Sequence, residues 1–306
     1  MTAAVMAVMV CAGLFGAAAP RLARILPPAW ATRMLVPTSV AVTAALWFAL
    51  ASAAFTWVGQ QPEVAEIGPW SPRTLRADTP VGHLPAAAAL ALLAPATIWA
   101  VTTTVHRARS LLIVHRVHGR LGPPGALVVL DSDTPDAFTT PEARGRVVVT
   151  RGMLHALDGP ERQALLAHER SHLIHRHAWW SIAIDVAAAA NPLLTATRRA
   201  IRHAVERWAD EDAARAVADR HLVARSVARA ALARTHHAQA HPTPAATGGE
   251  VTDRVRALLD PPALQRLPAI AVLAVLLSAL AVSTSIIQSQ GEHLFDRAGM
   301  VATSQR

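Results

Sequence analysis

The chain has 306 residues, of which 52% are apolar and only 16% are charged, and its mean hydropathy is +0.30. Soluble domains usually carry about 25% charged residues, so this composition argues against a wholly soluble protein, and the apolar content excludes disorder for most of the chain. The formal net charge is +8, all basic residues are Arg, and the single cysteine, Cys11, excludes a disulfide framework.

Four stretches lack Asp, Glu, Lys and Arg and are long enough to cross a bilayer as helices, which takes about 20 apolar residues. They are residues 1–20, 35–58, 84–105 and 267–288. The first stretch has no positive charge ahead of it, which favours a transmembrane span over a secretory signal peptide. The sequence therefore predicts a polytopic α-helical membrane protein.

Arginines are concentrated between spans one and two, after span three and before span four. Because positive charge near span ends marks the cytoplasmic side, we expect the N-terminus outside, residues 106–266 in the cytoplasm and residues 289–306 as a short extracytoplasmic tail. Attraction to anionic lipid accounts for the basic charge, and no direct nucleic acid partner is expected. The Arg- and Ala-rich composition without Lys is typical of a high-GC bacterium, so we expect the bacterial plasma membrane.

The insertion between spans three and four, residues 106–266, has about 160 residues, the size of one domain. Two Val-rich runs bounded by turn residues, 126–130 and 146–150, predict strands. Residues 136–140 between them form either a short edge strand or a loop.

A helix start signal, Asp158-Gly159-Pro160-Glu161, predicts a helix that continues to about His177. Residues 178–190 are apolar but too few to span a membrane, so we expect a buried or membrane-associated helix, with its aromatic pair Trp179-Trp180 in the core or at the bilayer surface. A further helix is predicted over residues 195–235, and the Pro, Thr and Gly of 236–250 indicate a flexible linker.

The first of these helices carries the sequence His168-Glu169-Arg170-Ser171-His172. Residues four apart lie on one helix face, so both imidazoles can reach one ion, and Glu169 lies beside it to hold a water molecule. This pattern is typical of zinc hydrolases, in which the glutamate takes a proton from water and passes it to the departing amine. The alternative is a His-rich polar face that meets water, a description that fits His175 and His177.

A third ligand is available on the next predicted helix. Glu206 would complete a site of two His and one carboxylate with an open fourth position, and Asp210 could accept the free N–H of a ligating His. The alternative is a solvated charged face, because residues 210–212 are all acidic and lie beside many arginines. The longer metzincin motif is absent, since residues 175 and 178 are His and Ala.

The chain resembles the gluzincin domains of integral membrane metallopeptidases in residues 137–140, 147–154, 165–172 and 206–210. Two related families fit, the BlaR/MecR-type signal transducers and the HtpX-like quality-control proteases. The expected topology favours the BlaR/MecR type, which places its zinc domain in the cytoplasm between a third and a fourth span. Asn191-Pro192 also resembles the Asn-Pro that follows the HExxH helix in that family.

This resemblance implies one Zn²⁺ per chain, with its ligands, catalytic base and ligand-orienting carboxylate at positions of this sequence that match the family motif. The implied ligands are His168, His172 and Glu206, the implied base is Glu169 and the implied orienting carboxylate is Asp210. BlaR/MecR proteins carry a penicillin-binding sensor after the fourth span, whereas residues 289–306 have neither the size nor the SxxK motif for one. Antibiotic sensing is therefore not expected.

Gluzincins commonly align a peptide substrate against an edge strand. We expect that strand at Ala137, Phe138 and Thr139, with an ordinary loop as the alternative. The chain contains no Tyr, so the oxyanion requires His, Arg, backbone N–H or the metal itself. The candidates nearest to Glu206 in sequence are His203, Arg207 and His221, and a solvated surface position is the favoured alternative for each.

The sequence thus predicts a four-span membrane protein with a mainly helical α+β, gluzincin-like zinc peptidase domain inserted between spans three and four. The predicted function is cleavage of a protein substrate in the cytoplasm, such as a transcriptional repressor in a signalling relay. One alternative is HtpX-like quality control of membrane proteins. The other is a non-catalytic membrane scaffold with a vestigial metal site.

Overall fold

A computed structural model describes residues 1–67, 70–78, 81–118, 125–140, 145–240, 248–260 and 267–304. The chain begins with five helices, α1 (Thr2–Ile25), α2 (Pro28–Val58), α3 (Pro62–Ala65), α4 (Pro72–Asp78) and α5 (His83–His118). Three strands follow, β1 (Leu127–Leu130), β2 (Ala137–Thr139) and β3 (Val147–Thr150). The remaining helices are α6 (Arg151–Ala156), α7 (Gly159–Ile174), α8 (His177–Ala190), α9 (Thr195–Val217), α10 (Arg220–Ala240), α11 (Gly248–Leu259) and α12 (Leu267–Ser304).

Among the described residues, four helices are long and apolar enough to cross a membrane, and they coincide with the four predicted spans. Their apolar parts are Thr2–Ile25, Pro28–Val58, His83–Ile113 and Ala269–Met300. The helices extend past the predicted span ends, because a helix does not stop where its first charged residue appears. Residues 289–304, predicted as a tail, accordingly continue α12, and Phe295 packs there against Phe55 and Trp70.

The three strands form one small sheet in the order β1–β3–β2, with β1 parallel and β2 antiparallel to β3. β1 and β3 are the two strands that the Val-rich runs predict, and the segment that could be strand or loop is strand β2. The side chains of β3 are all buried, as a central strand requires. β2 is therefore an edge strand, and it packs against α7.

The predicted start signal of α7 is a reciprocal cap. Asp158 Oδ1 accepts a hydrogen bond from the backbone N–H of Glu161 at 2.9 Å, and Glu161 Oε2 accepts one from that of Asp158 at 3.1 Å. Two of the backbone donors that a helix start leaves without partners are thereby satisfied. The cap fixes the register of α7, and with it the direction in which His168 and His172 point.

The helices that carry the site share a core with the first two apolar helices. Buried side chains of α8 and α9, among them Ile184 and Ile201, pack in one cluster with Phe15 of α1 and Leu35 of α2. At Gly16 an added Cβ would lie 2.7 Å from the backbone oxygen of Leu193, so glycine lets α1 approach the turn after α8 this closely. Part of the predicted insertion is therefore packed into the helical bundle.

The apolar helices differ in how much of their surface the protein covers. In α1 and α2, 33% and 44% of the apolar stretch is buried, against 11% and 22% in α5 and α12. A membrane helix whose apolar surface is not covered by protein is covered by lipid. α5 and α12 thus present most of their apolar surface to the bilayer.

The predicted linker 236–250 is shorter in the structure. α10 continues through Ala240, and α11 begins at Gly248. The residues from His236 to Ala240 include neither Pro nor Gly, so nothing in them interrupts a helix. Residues 241–247, which include Pro242, Pro244 and the remainder of the predicted linker, lie outside the described residues.

Candidate metal centre and active-site cleft

Three predicted ligands meet at one point between α7 and α9. Nε2 of His168 and Nε2 of His172, one turn apart on α7, lie 3.0 Å from each other. The two carboxylate oxygens of Glu206 each lie 3.6 Å from one of these nitrogens. Across the described residues, these three side chains form the group of His, Cys, Asp and Glu close enough to hold a metal ion.

A buried carboxylate, that of Asp210, and a buried guanidinium, that of Arg254, contact the residues of this cluster. Asp210, one turn after Glu206 on α9, lies with Oδ1 2.9 Å from Nδ1 of His168. Arg254 of α11 donates from Nε and Nη2 to the two oxygens of Asp210 at 2.8 and 2.7 Å, and its Nη1 lies 3.1 Å from Glu206. The Asp210 contact directs Nε2 of His168 towards Glu206 and His172.

His172 has a corresponding partner in His177, which the sequence assigns to a water-facing surface. The structure buries His177 and places its Nδ1 2.9 Å from Nδ1 of His172. The chain reverses at Arg176, whose φ of 52° lies in the left-handed region, and this turn brings the start of α8 back against α7. The prediction for His177 fails because helical spacing ends at this turn.

The pKa shifts of the cluster favour ionised carboxylates and a positive charge between them. Burial by itself would lower the pKa of His168, but contacts with Asp210 and Glu206 raise it to about 10. Burial would raise the pKa of Glu206 and Asp210, yet His168 and Arg254 lower both. Burial and the neighbouring charge of His168 lower the pKa of His172. Two ionised carboxylates thus surround the histidine pair, which favours a positive charge there.

Glu169, the predicted base, is buried beside the histidine pair and is restrained by strand β2. The hydroxyl of Thr139 lies 2.9 Å from Oε2 of Glu169 and 3.0 Å from its backbone oxygen, and donates towards both. The predicted substrate residue Thr139 therefore contacts the predicted base directly. Strand and helix together fix where the carboxylate of Glu169 lies.

The cluster opens into a cleft of about 530 Å³ between the end strand β2 and helices α7, α8, α10 and α11. Ala137, Phe138 and Thr139 line one side, as the sequence predicts for a substrate strand. Apolar side chains also line the cleft, among them Leu165, Val223, Val227 and Ala230. Trp179, which the sequence leaves in the core or at the bilayer surface, is half exposed and lines this cleft.

The three candidates for stabilising an oxyanion, His203, Arg207 and His221, do not line the cleft. His203 and Arg207 line another crevice together with Arg24, and His221 is exposed on α10. Arginines do line the cleft, at Arg176, Arg234 and Arg254. Closeness in sequence is not enough, because position 207 is turned by about 100° from Glu206 around the helix, and His203, almost one turn earlier, lies at the other crevice.

Arg254 is the site residue that sequence reasoning misses altogether, since there it counts only as positive charge before span four. It lies 44 residues after Asp210, on a short helix of its own. Two signals could have pointed to it. α11 is amphipathic, and Asp210 requires a partner if it is buried.

Comparisons with known proteins agree with this geometry. A family model described as peptidase family M48 matches residues 101–261, just over half of the chain and every residue of the cluster. A stretch of 66 residues, 21% of the chain, is 41% identical to a protein named protease HtpX homolog from Acidiphilium cryptum (strain JF-5), of which it spans 23%. No solved structure matches the chain. The protein belongs to peptidase family M48, and the part of the chain that the structure describes has four helices long and apolar enough to cross a membrane.

Proposed function

We propose that the protein is a membrane-embedded zinc-dependent endopeptidase that holds one Zn²⁺ through His168, His172 and Glu206. The observation that carries this proposal is the spacing of their ligand atoms, 3.0 Å between the two nitrogens and 3.6 Å from each nitrogen to Glu206. Two ligands of a tetrahedral zinc ion at about 2.0–2.1 Å lie about 3.3 Å apart, so the donor set fits this ion. Two His and one carboxylate also leave a fourth position for water.

The residues around this set have distinct roles in peptide hydrolysis. When bound, zinc polarises the scissile carbonyl and lowers the pKa of a water molecule to about 7. Glu169 takes a proton from the attacking water and delivers it to the nitrogen of the departing peptide. Thr139 keeps the Glu169 carboxylate in position. Asp210 contacts Nδ1 of His168, and His177 contacts Nδ1 of His172. The Nε2 atoms of both histidines therefore remain available to bind the metal.

The cleft suits an extended segment of a protein chain. β2 is an edge strand of the sheet and borders the cleft, so Ala137, Phe138 and Thr139 can pair with substrate backbone by β-augmentation. Backbone pairing recognises any extended peptide. The apolar side chains that line the cleft, such as Val223 and Val227, add a preference for apolar substrate side chains.

The arginine distribution supports a cytoplasmic location for this cleft. Arginines follow the predicted span 84–105 and precede the predicted span 267–288, and the residues of the site lie between these two spans. With positive charge on the cytoplasmic side, the chain starts outside and the protease faces the cytoplasm of a bacterial cell.

Two substrate classes fit such an enzyme. A BlaR/MecR-type role would direct cleavage to one cytoplasmic protein, such as a transcriptional repressor. The similarity to a protease named HtpX homolog favours the second class, quality control, in which many membrane proteins are cut. The breadth of cleavage separates the two.

The test is a whole-cell census of new protein N-termini in wild type and Glu169→Gln, with zinc content measured on both purified proteins. We expect Glu169→Gln to keep its zinc and to lose the new termini, because the variant removes the base but no ligand. One or two lost cuts in a cytoplasmic regulator would identify a relay, and many lost cuts in membrane proteins would identify quality control.

The rival hypothesis is a non-catalytic scaffold with a vestigial metal site. It predicts identical termini in the two strains at rest and under stress, with any phenotype of gene deletion rescued by Glu169→Gln. These two results together would overturn the proposal that the protein is a protease.

A further inference from the structure

A second charged cluster lies away from the cleft, in a crevice between α5 and the helices α8 and α9. The crevice has a volume of about 540 Å³. Its walls include Trp99, Thr102 and Arg107 of α5, Asp185 and Ala188 of α8, and Arg198 of α9. None of the residues predicted for zinc or substrate lines it.

Asp185 is the anchor of this cluster, and its side chain is only 2% exposed. Arg107 Nη2 lies 2.5 Å from its Oδ2, and Arg202 contacts both oxygens, at 3.1 Å through Nε and 2.5 Å through Nη2. Arg198 lies further away, at 3.8 Å. Three guanidinium groups against one carboxylate leave two positive charges.

The arginines remain available to a ligand. Their side chains are 37%, 38% and 44% exposed for Arg107, Arg198 and Arg202. Each guanidinium has five N–H donors arranged in a planar fork. The single buried carboxylate cannot accept hydrogen bonds from all the donors of three guanidinium groups. Planar forks of this kind bind phosphate oxygens in pairs. The cluster is therefore suited to an anion that carries phosphate.

The position of the crevice along α5 indicates where that anion comes from. Trp99 is exposed in the apolar part of α5, and Arg107 follows it by eight residues, about 12 Å at 1.5 Å per residue. Exposed Trp is common where the apolar core of a bilayer meets its headgroups. The crevice is thus apolar at one end and cationic at the other, across the depth of that boundary.

We propose that this crevice binds an anionic phospholipid, with its phosphate on Arg107 and Arg198 and its acyl chains along α5. The polarity of the ligand matches that of the crevice, since a phospholipid also carries its charge at one end. The exposed apolar surface of α5 supplies the lipid-facing wall, because only 11% of its apolar stretch is buried by protein. A free phosphate ion would use the arginines but not the apolar end.

The proposal is tested by native mass spectrometry of the full-length protein in detergent, titrated with phosphatidylglycerol or phosphatidylcholine. We expect one phosphatidylglycerol to bind per chain more tightly than phosphatidylcholine. Arg198→Gln should weaken that binding about tenfold, the effect of losing one charge-assisted contact. Arg198 is chosen because it is furthest from Asp185, so its loss disturbs the ion pairs of the fold least.

Two variants serve as controls. Arg109→Gln removes the same charge from α5, two residues beyond Arg107 on an exposed position outside the crevice, and should bind as wild type does. Arg198→Lys keeps the charge but loses the planar fork, so it should recover only part of the affinity lost in Arg198→Gln, which separates lost charge from lost fork geometry.

Equal binding of the two lipids, or equal loss in Arg198→Gln and Arg109→Gln, would overturn the site. Protection by inorganic phosphate from thermal unfolding, equal to that by phosphatidylglycerol, would assign the cluster to a free anion and also overturn it. None of these measurements depends on peptidase activity.

Discussion

Two clusters of arginine and carboxylate, both built partly on α9, have opposite charge ratios. In the metal centre Glu206 and Asp210 share one arginine, Arg254. In the crevice Asp185 is shared by three arginines. The first ratio leaves negative charge and suits a cation, and the second leaves positive charge and suits an anion. The charge ratio thus favours a cation in one cluster and an anion in the other, while the histidines supply ligand atoms for the proposed metal.

Burial of the arginines separates the two clusters further. The side chain of Arg254 is 14% exposed, whereas the arginines around Asp185 all keep more than a third of their surface in contact with solvent or lipid. A buried charge that loses its partner cannot turn to water, so we expect changes in the metal centre to cost more than changes in the crevice.

The largest effect is expected for Glu206→Gln, which removes the negative charge that the metal requires. Zinc affinity should fall by about 10³-fold or more, beyond the 10–100-fold typical of residues that only orient ligands. Isothermal titration with zinc measures this. Glu211→Gln on the same helix, where Glu211 pairs with Arg220 outside the cleft, should keep wild-type affinity. Unchanged affinity in Glu206→Gln would remove Glu206 from the ligand set.

Arg254→Met tests whether burial makes the loss of an arginine more costly. It leaves Glu206 and Asp210 without their guanidinium partner, and we expect a loss of about 3 kcal/mol in the free energy of unfolding, as for other broken buried pairs. Denaturant unfolding of the solubilised protein with and without zinc measures it, and zinc should restore part of the loss.

The matched control is Arg256→Met on the same helix, whose pair with Asp253 is 68% and 61% exposed. Exposed pairs contribute about 0–1 kcal/mol. Equal losses in the two variants would show that burial does not set the cost.

Asp185→Asn should have a smaller effect, about 2 kcal/mol, because its arginines can turn towards solvent or headgroups. Thermal unfolding in nanodiscs of phosphatidylglycerol or phosphatidylcholine measures it. If the crevice takes an anion, phosphatidylglycerol should restore more of the lost stability in Asp185→Asn than it adds to wild type. Equal shifts in both proteins would contradict the opposite charge ratio of the two clusters.

The smallest effect is expected where no charge is removed. Thr139→Val deletes the hydrogen bond to Glu169 and should lower kcat about fivefold with KM unchanged, an effect of about 1 kcal/mol. Thr139→Ser keeps the hydroxyl and should keep kcat. A rise in KM at constant kcat would instead assign Thr139 to substrate binding alone.

Several elements of the fold could be predicted because their signals are local. The strands β1 and β3, the start of α7 and the four apolar helices follow from runs of Val, from Asp158 with Glu161, and from stretches without charge. The close approach of His168 and His172 also follows from helical spacing. The meeting of Glu206 with them is a prediction from motif order that the geometry supports.

Other features lie beyond a sequence pattern. His177 looks like a surface residue until the turn at Arg176 reverses the chain. His203 and Arg207 look close to the site because they are near Glu206 in sequence, yet they face another crevice. In both cases periodicity within one helix is a poor guide to contacts between helices.

The sequence by itself determined four apolar helices, two Val-rich strands and the placement of His168 and His172 on one helix face, because each depends on the spacing of neighbouring residues. Only the tertiary structure decided which arginine meets which carboxylate. Arg254 is paired with Asp210 across 44 residues, and Arg107 reaches Asp185 from a different helix. The Coulomb energy of a pair depends on distance and burial, and helix packing sets both.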